Sequence, residues 1–460
     1  MKDTTPVVPL DDEEWKAAGD LSSRLDPAQW LKTASEGGLR CLLIGVYEGQ
    51  AGKAPAEENI KELERLCDTF GIDGTASLLC PLRKIDPATF LGSGKIEEIH
   101  QICQEQNFQA VVFDEEISPA QQRNLEELLR RPVLDRTEVI LGVFALRAHS
   151  REARLQTELA QAKYQFPRLR RLWTHLGRQS GSGSGGAYLK GEGETQLEID
   201  RRLLRRRIER LEQQLKEVRK QRETQRHARE RSGIPTFAII GYTNAGKSTL
   251  LNALTHAGVL AEDKLFATLD TTTRKFALPN HQEILLIDTV GFIRKLPHQL
   301  VKAFKSTIEE ATKADILLHL VDASHPNALE QAKTTIEVLK ELGAEDRPIL
   351  TLLNKIDACC DRIGIERLRM TFARVLRISA LTHEGFDELM ESMQQMLSGL
   401  RDRLVLRIPQ ADYAVVSFIR QHGHVVSEEY DENDVIVTCD LPKTMRHQVR
   451  KYEPAEENQA

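Results

Sequence analysis

The sequence predicts a multidomain α/β protein, and three observations carry that expectation. Its 460 residues exceed what one hydrophobic core usually organises, so about three domains are expected. Between residues 234 and 398 short apolar runs alternate with helical stretches, the pattern of a doubly wound, mostly parallel sheet. Within that region a glycine-rich loop closes the first apolar run and opens a helix, the context of a P-loop.

Residues 1–36 carry few apolar residues and read as a leader. An N-terminal α/β domain follows over 37–145, with Cys41 to Tyr47 and Ala110 to Asp114 as buried strands. Glu57 to Phe70, Lys95 to Gln104 and Pro119 to Arg130 carry helical periodicity. Residues 146–233 change character and predict a basic helical hairpin. Thr137 to Pro167 places Leu155, Leu159, Ala162 and Phe166 at helical spacing, and Gln196 to Arg231 reads as one long charged helix. There Leu197, Leu204, Leu211 and Val218 recur every seven residues, with Ile208 and Leu215 at the complementary position. Arg201 and Arg222 interrupt that second stripe, which favours a hairpin packed on itself, and a monomer, over a long dimeric coiled coil.

Between the helices lies Gly181 to Glu194, a loop in which six of fourteen residues are glycine, too many for one fixed free conformation. The sheet region, 234–398, has its strands at Phe237 to Ile240, Ile284 to Ile287, Ile316 to Val321 and Ile349 to Leu353. Residues 399–460 predict a small α+β domain with a helix at Tyr413 to Gln421 and a strand at Val435 to Thr438.

Charge separates these parts. The chain is −6 overall, yet Arg147 to Ser232 holds 22 basic against 11 acidic residues. So basic a segment in an otherwise acidic chain suits a polyanionic partner, though a solvated helix surface has the same composition. Arg168, Arg170, Arg171, Arg178 and Lys190 lie in or beside the glycine-rich loop, and Arg201, Arg202, Arg205, Arg206 and Arg207 follow on the second helix. Such a tip can mould onto phosphates and single-stranded RNA. An inert linker is the alternative. No apolar stretch approaches the roughly 20 residues a bilayer requires. No apolar signal segment opens the chain, and seven scattered cysteines fit no metal or disulfide spacing. A cytoplasmic protein with reduced thiols is expected.

The chemistry concentrates in four motifs. Gly241-Tyr242-Thr243-Asn244-Ala245-Gly246-Lys247-Ser248, followed by Thr249, matches GxxxxGK[ST] between strand and helix, so its backbone N–H groups can wrap phosphates. Lys247 can reach the β- and γ-phosphates and Ser248 can ligate Mg²⁺. Asp288-Thr289-Val290-Gly291 ends the next apolar strand, where Asp288 can hold the Mg²⁺ shell and Gly291 can admit a backbone N–H to the γ-phosphate. Asn354-Lys355-Ile356-Asp357 and Ser379-Ala380-Leu381 supply the base site. A carboxylate at Asp357 accepts both donors of guanine but would face only a lone pair on adenine. Lys355 would stack on the base plane, and the Ala380 N–H would meet the guanine O6. Together these predict a GTPase similar to the translation-factor class.

The first switch lies in Leu265 to Lys275, with Phe266, Ala267, Thr268, Leu269 and Asp270 at the nucleotide. Thr268 is the favoured Mg²⁺ ligand and Thr273 its rival. Phe292 stands where Ras-like enzymes carry a water-orienting glutamine, so hydrolysis is expected to be slow alone and faster on a partner. Asn244 can support K⁺ beside the phosphates, or merely stabilise the turn. Gly92-Ser93-Gly94-Lys95 reads as a helix-start turn with at most a weak anion or nucleotide contact.

These residues resemble the HflX GTPases. The segments FLGSGKIEEI, VVFDEEISPAQQRNLEE, VLDRTEVILGVFALRA, EARLQTELAQAKYQFPRL, GEGETQLEIDRRLLRRRI, GYTNAGKSTLLNALT, LFATLDTTTRK, LLIDTVGFIRKLP and LLNKID carry the likeness, over roughly residues 90 to 380. The resemblance implies a cytosolic GTPase that binds the 50S subunit and its 23S rRNA and splits stalled or idle 70S ribosomes, notably after heat stress. It further implies that the ribosome stimulates hydrolysis. The tip departs from the family's form, and Thr271 replaces a proline common in that switch. An assembly factor for the large subunit and a nucleotide-regulated RNA-binding or remodelling protein are the alternatives.

Overall fold

The computed structural model describes residues 40–72, 74–169, 189–231, 234–255, 264–295, 313–344, 346–359, 361–399, 401–431, 433–442 and 445–454. The leader, Arg170, Arg171, Arg178 and residues 181–188 of the glycine-rich loop lie outside them. The described chain forms two compact units. One holds residues up to 218 together with 264–270 and 294–295, and the other holds the rest.

In the first unit, four strands form a parallel sheet of order β2-β1-β3-β4: β1 Arg40–Tyr47, β2 Gly74–Pro81, β3 Ala110–Phe113 and β4 Val133–Asp135. Cys41 to Ile44 and all of β3 are buried, as a sheet covered on both faces demands. The connecting helices are α1 Lys53–Phe70, α2 Ser93–Glu105 and α3 Pro119–Leu129. Helix α3 starts cleanly because Ser118 and Gln121 form a reciprocal capping box with Pro119 in the first turn. β2 and β4 add to the two strands expected here.

The stretch expected as one run from Thr137 is two helices, α4 Arg136–Arg147 and α5 Arg151–Gln165. Asp135 caps the first by accepting from the Glu138 N–H, and Ser150 caps the second by accepting from the Ala153 N–H. The long helix, α6 Leu189–Arg231, begins before Gln196 and takes in Gly191 and Gly193. Helices α5 and α6 pack as a hairpin. Leu159 shares a core with Leu211 and Leu215, while Ala162 and Leu169 share one with Leu204. Lys163–Glu212 and Arg207–Glu158 ion pairs flank this seam. This part of the leucine stripe is therefore covered by the chain's own helix.

Two arginines correct the tally of cations beside the loop. Arg168 is 5 % exposed, lies 3.7 Å over the Tyr164 ring, and donates to the Ile117 carbonyl and to Gln122. Its guanidinium serves the domain's interior and is unavailable to RNA. Arg207 is buried too, in its pair with Glu158.

The second unit contains a six-stranded sheet of order β10-β9-β8-β5-β7-β6. Its strands are β5 Thr236–Gly241, β6 Thr272–Ala277, β7 Glu283–Asp288, β8 Ile316–Asp322, β9 Ile349–Asn354 and β10 Val375–Arg377. All pair in parallel except β6, which runs antiparallel to β7. Helices α7 Lys247–Thr255, α8 Ala328–Glu341, α9 Arg362–Thr371 and α10 Phe386–Gly399 accompany them. Strand β5 lies between β7 and β8, so the chain leaves its carboxyl end at a topological switch point, where open α/β sheets hold ligands. Phe237, Ile239, Leu250, Leu286, Leu318 and Leu352 belong to the core beneath it.

The unit ends in an antiparallel sheet of order β11-β13-β12, from β11 Arg401–Pro409, β12 His424–Asp431 and β13 Asp434–Pro442. Leu404, Leu406, Ile408, Val435, Val437 and Cys439 alternate inward, in one core with Val416 and Ile419 of α11 Tyr413–His422. Among the described residues, no helix is long and apolar enough to cross a membrane.

Candidate functional site

Glycines shape the loop after β5. Gly241 and Gly246 have φ of +155° and +96°. A Cβ on Gly241 would come within 2.2 Å of the Leu320 carbonyl oxygen, and one on Gly246 within 2.4 Å of Asn354 Nδ2. A side chain fits neither position. Asn244 sits at φ +61°, a left-handed conformation that asparagine tolerates better than most residues. Helix α7 begins at Lys247, so the N–H groups of its first turn face the loop, outside the helix's own ladder.

Lys247 Nζ donates to the Tyr242 carbonyl at 2.8 Å and is buried. Burial lowers its pKa to about 8, with Asp288 acting in the opposite direction. Ser248 Oγ donates to Asp288 Oδ2 at 2.7 Å, bringing the hydroxyl and the carboxylate of two separate motifs together. Gly291 packs close to the P-loop: a Cβ there would lie 2.8 Å from Thr243 Cα and 2.9 Å from Lys247 Nζ. Thr289 is tied down, its Oγ1 donating to the Ile239 carbonyl. Beyond Gly291, the Thr243 N–H donates to the Phe292 carbonyl and the Phe292 N–H to the Gly241 carbonyl. The phenyl ring of Phe292 is buried.

The base motifs are joined through one amide. Asn354 Nδ2 donates to the Ala245 carbonyl at 2.8 Å, and Asn354 Oδ1 accepts from the Ala380 N–H at 2.9 Å. One buried side chain thus fixes the P-loop to the Ser379-Ala380-Leu381 turn. Ser379 is buried, its Oγ accepting from the Thr382 N–H, while Leu381 is exposed. Lys355 is left-handed at φ +61° and pairs with Asp322 at 2.8 Å. Asp357 is exposed in the short helical turn that follows. Asp322 is not among the expected residues. Its signal in the sequence is a carboxylate at the end of an apolar strand, the same signal that singles out Asp288.

The segment expected as the first switch divides. Thr272 to Lys275 lie in β6, where Thr273 is in register with Ile287. A residue held in a ladder is a poorer candidate for a loop that orders on binding than Thr268, which precedes the strand. Within the first unit, Leu265, Phe266 and Leu269 are buried, Phe266 meeting Phe144 edge to face at 4.7 Å. Asp270 accepts from the backbone N–H groups of His149 and Ser150 and from the Ser150 hydroxyl. Lys295 pairs with Asp114 and Glu115, and Arg136 pairs with Asp114 and Glu62 and donates to the Arg294 carbonyl. In the second unit, Arg222 donates to Thr271 Oγ1 at 3.4 Å.

Of the expected RNA contacts, Arg201 is half-buried and Arg202 exposed on α6, and the backbone of Lys190 lies in the same helix. Lys95 pairs with Glu98 in the first turn of α2, an ordinary helix start.

Four protein-family models match in sequence. Residues 57–145 match "GTP-binding GTPase N-terminal", 147–229 "GTP-binding GTPase Middle Region", 236–355 "50S ribosome-binding GTPase" and 366–451 "HflX C-terminal domain". The chain is similar to the GTPase HflX of Chlamydia pneumoniae, 46 % identical over 90 % of this chain and 88 % of the relative. Against the GTPase HflX of Escherichia coli it is 40 % identical over 91 % and 97 %. A crystal structure of a GTP-binding protein from Sulfolobus solfataricus with GDP is 25 % identical over 79 % of this chain and 100 % of that one, with a TM-score of 0.40.

Proposed function

The chain belongs to the HflX family of GTPases, and from that premise we propose that it binds the large ribosomal subunit and splits stalled or idle 70S ribosomes in the cytoplasm. It hydrolyses GTP. The observation that carries the proposal is a chain that holds both a GTPase domain and a helical hairpin segment, Arg147 to Ser232, with 22 basic against 11 acidic residues. The family description of residues 236–355 as a 50S ribosome-binding GTPase supports the choice of partner. On this reading Arg201, Arg202 and Lys190, with Arg170, Arg171 and Arg178, meet 23S rRNA.

At the nucleotide, the P-loop amides and Lys247 hold the β- and γ-phosphates. Asp357 reads the guanine edge and Lys355 completes the base site, whereas the Ala380 N–H, expected to meet the guanine O6, donates instead to Asn354 Oδ1. The hydroxyl of Ser248 is a hard oxygen donor that fits Mg²⁺, and the carboxylate of Asp288, 2.7 Å from it, can hold the shell around the ion. Bound there, Mg²⁺ would neutralise charge on the phosphate oxygens. The Gly291 N–H faces the γ-phosphate. Phe292 is buried and cannot orient water, so an outside group must complete the hydrolytic site, which the ribosome supplies. Asn244 supports K⁺ beside the phosphates, so K⁺ stimulates hydrolysis more than Na⁺.

The test combines GTP hydrolysis with and without purified 50S subunits, in K⁺ and in Na⁺, with sedimentation of 70S particles beside a non-hydrolysable GTP analogue. Stimulation by about tenfold or more, a loss of about 1.4 kcal/mol in barrier, together with separation of the subunits, is expected. Stimulation without separation would favour an assembly role on free 50S. No stimulation would overturn the partner. Equal rates in the two salts would overturn the K⁺ role.

A further inference from the structure

We infer that Asp322 is a positioning residue for the base site: it holds Lys355 in the conformation that stacks on guanine. The inference rests on the proposed role of Lys355 and Asp357 and deepens it.

Lysine at φ +61° is an unfavourable backbone conformation for a residue with a Cβ, so something must hold it there. The corner after β8 is built to do so. The Ala323 N–H donates to the Asn354 carbonyl at 2.9 Å, extending the β8–β9 ladder up to the residue before Lys355. Cys359 Sγ lies 3.0 Å from the Ala323 carbonyl and ties the far side of the same turn to the same corner. The Asp322 carboxylate is itself fixed, because Oδ1 accepts from the backbone N–H and the hydroxyl of Ser324. That leaves Oδ2 aimed at Lys355 Nζ, 2.8 Å away, in a pair whose aspartate is 13 % and lysine 32 % exposed.

A flexible four-carbon side chain anchored at its tip has few remaining rotamers. Its methylene stem is then ready to cover one face of a purine with little further ordering on binding. Nothing in this arrangement touches the base edge, so Asp322 acts on affinity for any purine seated there and not on the choice of base. That choice lies with Asp357.

The experiment measures binding of GDP, IDP and ADP to the full chain as wild type, Asp322→Asn, Lys355→Met and the double variant. Asparagine keeps an oxygen for Ser324 and removes the charge that faces Lys355. Asp322→Asn should weaken GDP and IDP equally, by about fivefold, the upper range for a partly exposed pair. In the Lys355→Met background it should have no further effect. Ser324→Ala, which loosens the carboxylate, should weaken both nucleotides by a smaller factor. It keeps the test usable if Asp322→Asn does not fold. Unchanged affinity in both variants, a change additive with Lys355→Met, or a shifted GDP-to-IDP ratio would overturn the inference. If the wild type does not prefer GDP to ADP, it is the base-site reading itself that fails.

Discussion

Lys247 is a buried ammonium that donates to a carbonyl of its own loop. Desolvation lowers its pKa from 10.5 to about 8. Between those values the unfolded chain binds the extra proton, so this group alone makes stability rise with pH from about 8 to 10.5. Nucleotide binding has the opposite sign. Phosphates favour the charged lysine, so above pH 8 binding must take up a proton. GDP affinity should fall by up to about tenfold per pH unit above about 8. A titration between about pH 7 and 9.5 checks this, with Lys247→Arg expected to be flat because arginine stays charged. Lys247 is legible in the sequence because its motif imposes its surroundings. Asp322 is legible only as a carboxylate that ends an apolar strand, since nothing in β8 says that it faces a lysine more than thirty positions away. Arg168 misleads for a related reason: nearness in sequence to a basic loop does not say which way a guanidinium points, and Tyr164 and Ile117 take it inward.

At the scale of elements, the apolar strands are legible because burial on both faces leaves continuous runs such as those of β3 and β8. Strand β11 is not, although Leu404, Leu406 and Ile408 alternate as one buried face requires, because Arg403 and Arg407 fill outward positions and mask the run. The break between α4 and α5 depends on a cap that two segments share. Ser150 caps α5 by its own hydroxyl, while Asp270, far along the chain, accepts from the His149 and Ser150 N–H groups. Asp270→Ala should therefore speed amide exchange at His149 and Ser150 and leave Ala153, which Ser150 serves, protected. The expected loss is about 1 kcal/mol, as for other helix-start acceptors. Equal acceleration at all three amides would mean that Asp270 does not act at this end alone. The cap of α4 behaves differently with pH. Asp135 accepts from the Glu138 N–H, yet it is fully buried, and desolvation pushes its pKa up to about 6 against the pull of Arg168. A carboxyl raised in the fold binds its proton more tightly there than in the unfolded chain. Its contribution to stability is thus present below pH 3.8 and is lost as pH rises through about 6. Asn caps helices as well as Asp and does not titrate. Asp135→Asn should flatten that part of the pH dependence, read as the difference in urea midpoint between wild type and variant across that window. Retention of the full wild-type slope would place the titration elsewhere.

For the whole molecule, the decisive quantity is how its charge is distributed. With +11 between Arg147 and Ser232, the remainder of the chain is at −17. A polyanion the size of the proposed ribosomal partner would attract the first and repel the second, so on that proposal the hairpin segment, rather than the acidic remainder, would meet it. This attraction works through counterion release, which has a measurable signature. Each cation seated on a phosphate contributes roughly 0.7 to 0.9 to the slope of log affinity against log salt. Arg202 is exposed on α6, whereas Arg207 is already paired with Glu158 and buried. Arg202→Ala should lower the slope for 50S binding by about one unit while leaving the hairpin folded. Arg207→Ala should leave the slope nearly unchanged and weaken the hairpin. Sedimentation with 50S subunits between roughly 50 and 200 mM salt, a range set by how steeply such binding falls, separates the two. Equal slopes for Arg202→Ala and wild type would mean that this face of α6 does not meet phosphate, and the cations outside the described residues would have to carry the contact.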